Sequence, residues 1–239
     1  MKREMSTLDF SSPTYPYARV PNGNTTLKGA ELIPYQLLRY LLDLPDANGY
    51  EPQDDNTRPR VRFIKYVWYD SADPLSEPLP TPAQKMSLLF DPTNPALSTN
   101  EDEAQHPKGY RLLWQKVRGQ SITEAQTLVK CYVGRIFSPR AYHTTIGIRF
   151  DITTNVNFET NTKTDAYARA FDIEQAITEA LSQINMTGVG AISFLRSDHA
   201  DNGSMFIWDD GQNVGRTLHC SIDWVDGGED AVSEGCESC

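Results

Sequence analysis

The chain has 239 residues, enough for one large domain with a sizeable core, or for one domain with arms. A hydrophobic fraction of 39% and a mean hydropathy of −0.50 fit a soluble protein rich in loops; no apolar run reaches the length of a membrane span, and MKREMSTLDF lacks the apolar stretch of a secretory signal. The net charge is −10, and most of it sits at one end: from Arg196 to Cys239 ten acids face only Arg196 and Arg216, a local net of −8 that repels phosphate backbones and excludes ordinary nucleic-acid binding by that end.

Residues 1–30 are rich in Ser, Thr, Pro and Asn without apolar periodicity, so they read as an extended N-terminal arm, either loose or ordered against a partner. A first helix fits Pro34 to Leu44. Pro34 suits the first turn, where its missing N–H has no partner to lose, and Leu37, Leu38, Leu41 and Leu42 recur at helical spacing. Pro45 stops it. After the polar loop Asp46–Pro59, a strand is expected from Arg60 to Tyr69. Val61, Phe63, Lys65 and Val67 would share one face and Arg62, Ile64, Tyr66 and Trp68 the other.

Residues 70–109 carry seven prolines and are too long for a simple connection in a compact domain. They read as a projecting insertion that lies on a neighbour or forms a lid. One short helix fits inside, capped by Thr81, opened by Pro82 and running from Ala83 to Phe90. Strands are expected at Tyr110–Val117 and Thr127–Ile136. The clearest period of two follows: Thr144, Ile146, Ile148, Phe150 and Ile152 alternate with Thr145, Gly147, Arg149, Asp151 and Thr153. That strand belongs to a sheet with one exposed side.

Thr164 can cap a helix reaching Ile184, with Ala170, Ile173, Ile177, Leu181 and Ile184 as its apolar stripe and Asp165 in the first turn, where the helix dipole favours an acid. Gly188 and Gly190 end it. Strands at Ala191–Leu195, Met205–Trp208 and Arg216–Trp224 complete the unit, the last two joined by the turn signal Asp209-Asp210-Gly211. The expected fold class is α+β: a mainly antiparallel sheet with one main amphipathic helix packed on it. The expected organisation is an arm (1–30), a single α+β domain (31–226, with the insertion 70–109) and an acidic tail (227–239).

No constellation carries evident chemistry. Gly188-Val189-Gly190 follows a helix instead of opening one, so it is a helix stop and not a dinucleotide fingerprint. His106, His143, His199 and His219 have no metal-ligand spacing to a Cys, Asp or Glu. Asp198-His199-Ala200-Asp201-Asn202-Gly203 lacks the pattern and terminal Glu of an EF-hand and reads as a solvated turn. Cys131, Cys220, Cys236 and Cys239 give no disulfide framework, and free thiols are expected. Cys236 and Cys239 have CxxC spacing at the end of the chain, either a thiol-bearing tail or half a zinc site shared between subunits. No nucleophile elbow or phosphate loop appears. Hence no catalytic, cofactor-binding or metal residue is assigned.

Arg58, Arg60 and Arg62 fall on one side of the expected extended segment. They can grip phosphates or a neighbour's acidic tail, or form a charged edge that discourages stray strand pairing. With Asp209, Asp210, Asp223 and Asp226 they are the candidate contact residues, because one molecule then carries both signs for a head-to-tail interface.

The order TTIGIRFDITT, DAYARAFDIEQAITEALSQI, GAISFL, MFIWDDG and NVGRTLHCSIDW, spanning Thr144 to Trp224, resembles the tail-terminator and head–tail connector proteins of tailed bacteriophages. The likeness covers about a third of the chain; the arm and the proline-rich insertion depart from the compact family pattern. It implies a non-enzymatic virion protein, assembled in the host cytoplasm as a homo-oligomeric ring, hexameric or higher. Such a ring would end the tail tube, join it to connector proteins and let DNA pass without specific binding, with no membrane partner. Two other readings stay open: an enzyme with residues 70–109 as a lid and a His143, His199 or His219 cleft, and an adaptor that binds through its arm.

Overall fold

A computed structural model describes residues 30–46, 48–90, 108–114, 126–140, 143–159, 169–182, 184–186, 190–195, 202–209 and 212–225. The fold is α+β, with a seven-stranded, mainly antiparallel sheet. The arm, the tail beyond residue 225, residues 91–107 and the Thr164 cap lie outside the described residues.

A 3-10 turn, Ala30–Leu32, leads into helix α1, Ile33–Leu41, with Pro34 in its first turn. Leu37, Leu38, Leu41 and Leu42 are all fully buried, as their spacing predicts. The segment expected as a strand is instead helix α2, Pro59–Trp68. Arg58 enters in extended backbone and Pro59 takes the first helical position, so the helix starts where proline is least costly. Its apolar residues satisfy both periods: Val61, Phe63 and Val67 would share a strand face, while Val61, Ile64 and Val67/Trp68 recur at helical spacing. Every residue from Phe63 to Trp68 is buried, because α2 packs between the sheet-covering helix and the 3-10 turn Pro74–Ser76.

Helix α3, Pro82–Ser87, opens on a capping box: the Gln84 N–H donates to Thr81 Oγ1 (3.3 Å) and the Thr81 N–H to Gln84 Oε1 (2.9 Å). It ends before Phe90 because Leu89 turns into an isolated parallel bridge with Leu112. The Phe90 N–H donates to Leu112 O, and the Arg111 and Leu112 N–H groups donate to Leu88 O, each at 2.9 Å. Within the 70–109 segment, Leu88, Leu89 and Phe90 are core residues.

The sheet runs β1-β2-β3-β7-β5-β4, with β6 also on β7. Here β1 is Leu112–Leu113, β2 Leu128–Arg140, β3 His143–Asn155, β4 Asn185–Met186, β5 Gly190–Ser193, β6 Gly203–Asp209 and β7 Asn213–Val225. Only β1 is parallel to its neighbour. The 13-residue strands β3 and β7 pair along their whole lengths, from His143↔Val225 to Asn155↔Asn213. A bulge falls between Val133 and Arg135, opposite Gly147. A Cβ on Gly147 would lie 3.1 Å from Arg135 O, tighter than most Cβ contacts, so glycine suits the close approach there.

A short helix, α4 (Val156–Glu159), follows β3, and the main helix is α5, Arg169–Leu181. Ala170, Ile173, Ile177 and Leu181 are fully buried against Ile146, Ile148, Phe150 and Ile152 of β3 and Leu218, Cys220 and Ile222 of β7. Together they form one continuous core, which α1 extends over β2. The opposite face of β3 and β7 carries the polar half of the alternation.

Candidate functional site

The helical form of α2 separates the three arginines. A two-residue step turns about 200° around a helix, so Arg60 and Arg62 point to opposite sides. Arg62 pairs with Glu179 on α5. Arg58, at the N-cap, makes an exposed contact with Asp55 at 3.7 Å. Arg60 turns inward to Asp43 at 2.8 Å and lies over the rings of Tyr40 and Tyr50, at 4.6 and 5.5 Å. The row expected on one side of an extended segment is replaced by contacts within the molecule: Arg62 goes to Glu179, while Arg58 and Arg60 both also donate to the Tyr50 hydroxyl, at 3.4 and 3.3 Å.

Asp43 is the centre of a buried ionic cluster. It follows α1 at φ +52°, a left-handed conformation that Asp tolerates better than most residues. Its Oδ1 takes the Tyr50 hydroxyl (2.7 Å) as well as Arg60, and its carbonyl takes the ammonium of buried Lys85 (2.9 Å). Burial pulls the Lys85 ammonium below its ordinary value, against the pull of Asp43. Burial first, then the Asp43 carboxylate, pushes the Tyr50 phenol up. A second buried lysine, Lys65, reaches Asp54 Oδ1 (2.5 Å) and Leu75 O (3.2 Å), pinning the 3-10 turn to α2.

Two arginines grip the carbonyl end of α2. Arg111 donates to Val67 O (2.8 Å) and forks onto both oxygens of Asp70 (2.7 and 2.6 Å). Arg169 donates to Tyr69 O (3.0 Å) and to Ser71 O. These cations satisfy carbonyls that a helix leaves open and sit at the negative end of its dipole. Beside them lies a small open cleft lined by Tyr66, Ala72, Asp73, Pro74, Leu75, Arg169 and Asp172. Burial pushes the Asp172 carboxyl up although Tyr66 donates to it, and burial with Asp172 pushes the Tyr66 phenol up to about 12.

The polar face of the sheet, where Tyr132, Thr145, Thr153, Thr217 and Ser221 are buried and Arg149, Asp151 and His219 half-buried, carries a cross-strand polar network. Asp151 on β3 accepts from Tyr132 of β2 at Oδ2 and from Thr217 of β7 at Oδ1, both at 2.7 Å. Next to it, Arg149 Nε donates to His219 Nε2 at 2.9 Å, so His219 carries its proton on Nδ1 in this arrangement. Burial, with the Asp151 hydrogen bond, pushes the Tyr132 phenol up to about 12. Both carboxylate oxygens and the guanidinium Nε are thus engaged within the sheet.

Of the acidic candidates, Asp223 is exposed on this face and accepts from Thr145 Oγ1 at 3.1 Å. Asp209 is the last residue of β6. Asp210 and Asp226 lie outside the described residues, as do His106, His199 and the Cys236/Cys239 pair. Cys131 and Cys220 are free and buried. Among the described residues no group of three or more His, Cys, Asp or Glu side chains is placed to hold a metal ion. Among them, too, no helix is long and apolar enough to cross a membrane.

Sequence reasoning missed Asp43, Lys65, Lys85, Arg111 and Arg169. Their signal was present for two of them: Lys65 sits inside RFIKYVW and Arg111 inside GYRLLW, charges embedded in apolar runs that must be buried with partners. No family model, curated protein or solved structure matches the chain.

Proposed function

We propose that this protein is a ring-forming structural subunit of the tailed-phage neck that ends the tail tube and joins it to the connector. The observation that carries the reading is the element order of the second half. Strand β3, helix α5, strands β5 and β6 and the long return strand β7 build a one-sided antiparallel sheet, the order of the resemblance.

The charge balance is compatible with that role: a wall beside a DNA path must not hold phosphates, and the chain is acidic as a whole. Electron microscopy and mass measurement of the purified full chain test the reading. A closed ring of six or more copies is expected; a monomer at every concentration, with no assembly onto tail or neck proteins, would sink it.

One observation favours a second reading, a ligand-binding or catalytic role. The cleft of Tyr66, Asp73, Arg169 and Asp172 is lined on one side by residues 72–75 of the proline-rich segment and contains a carboxyl that burial raises above its ordinary value. A small-molecule thermal-shift screen separates the two. Hits on the natural chain that vanish in Asp172→Asn support the cleft; a screen without such hits removes it.

A further inference from the structure

Resting on the ring reading, we propose that the ring is closed by sheet continuation: the outer edge of β6 in one copy pairs with the outer edge of β2 in the next copy of this chain. Three features converge on it. First, the sheet has two open sides. Among the described residues β2 is paired on its outer edge only at Val129 and Lys130, by the two-residue β1, while β6 pairs only with β7. Such edges are templates for strand addition.

Second, the exposed large apolar side chains among the described residues all stand at the rim. Ile136 is on β2 (39% exposed), Met205 on β6 (61%), and Leu195 two residues past β5 (80%). Third, the two edge strands differ in charge: β2, residues 128–140, has three bases and no acid, while β6, residues 203–209, has one acid, Asp209, and no Lys or Arg. A basic edge strand and an acid-bearing one favour a heterologous contact that repeats around a ring.

Strand direction fits as well. β2 is antiparallel to β3, β3 to β7 and β7 to β6, so β6 runs opposite to β2. When the next copy continues the sheet with its helices on the same side, β6 meets the new β2 antiparallel. Register partners place Met205 opposite Thr217, on the polar face, and Ile136 opposite Ile146, on the helix-covered face. The junction would therefore cover one apolar side chain on each face.

The test uses the full chain with a photo-cross-linking amino acid at Met205. Inter-chain cross-links into the peptide spanning Cys131–Phe137 are expected. Met205→Lys and Ile136→Lys should each raise the concentration of half-assembly by roughly tenfold or more, with an unchanged circular dichroism spectrum. Rings that persist while cross-links map elsewhere would overturn this interface and leave the ring reading standing. A natural chain that stays monomeric and gives no inter-chain product would overturn both. If a lysine variant misfolds, the cross-link map still decides.

Discussion

The Asp43 carboxylate meets the Arg60 guanidinium at 2.8 Å across the junction of α1 and α2, with the Asp43 side chain only 1% exposed. Removing one partner of a buried pair leaves the other charge uncompensated. We predict that Asp43→Ala costs roughly 3–5 kcal/mol, because it also forces alanine into a left-handed backbone. Asp43→Asn should cost less, since asparagine keeps that conformation. Arg58→Ala, at an exposed contact, should cost no more than about 1 kcal/mol. Urea denaturation measures all three; equal losses at Arg58 and Asp43 would refute the distinction.

Arg111 serves the helix and Asp70 with one planar fork. Lysine has the charge but not the geometry. Arg111→Lys is therefore expected to destabilise by about 2–4 kcal/mol, within the range for broken buried networks, and to lie close to Arg111→Met. Retention of natural stability by the lysine variant would show that charge alone suffices.

Asp172 gives a pH signature. Burial raises its folded-state pKa above the unfolded value, so the carboxyl favours folding while protonated. That contribution is complete below the unfolded value of about 3.9 and is lost as pH rises through the folded value. Asp172→Asn should then match the natural chain near pH 3.5 and become the more stable of the two toward pH 7. Melting temperatures across that range check it; a natural chain that gains on the variant with rising pH would reverse the sign.

Burial pushes the Cys131 thiol well up and the Cys220 thiol to about 12. Neither should react with a thiol reagent in the native state, and both should after unfolding. Mass spectrometry of the labelled chain reads this by position, and rapid native labelling at either residue would contradict the packed sheet.

Long, periodic elements were legible in the sequence. The alternation Thr144–Thr153 is the centre of β3, and the stripe Ala170, Ile173, Ile177, Leu181 is the buried face of α5. The α+β class follows from these two. What failed was the segment Arg60–Tyr69. In ten residues rich in aromatic and β-branched side chains, both periods can be drawn, and burial on nearly all sides erased the polar stripe that would have chosen between them. Its arginines no longer share one side: Arg60 turns in to Asp43 and Arg62 to Glu179. The ionic clusters were illegible for a different reason: Asp43 and Lys85 are 42 residues apart and Arg111 and Asp70 are 41 apart, so their pairing exists only after the chain has closed.

The crossing of Leu88–Phe90 with Arg111–Leu112 has a last consequence. Three backbone hydrogen bonds lock these segments together, and Leu88, Leu89, Leu112 and Leu113 weld the joint to the core. We predict that the α1–α3 half and the sheet half, joined along this seam, hold together as two separate chains. Co-expressed as residues 1–99 and 100–239, they should find each other and purify as one complemented molecule.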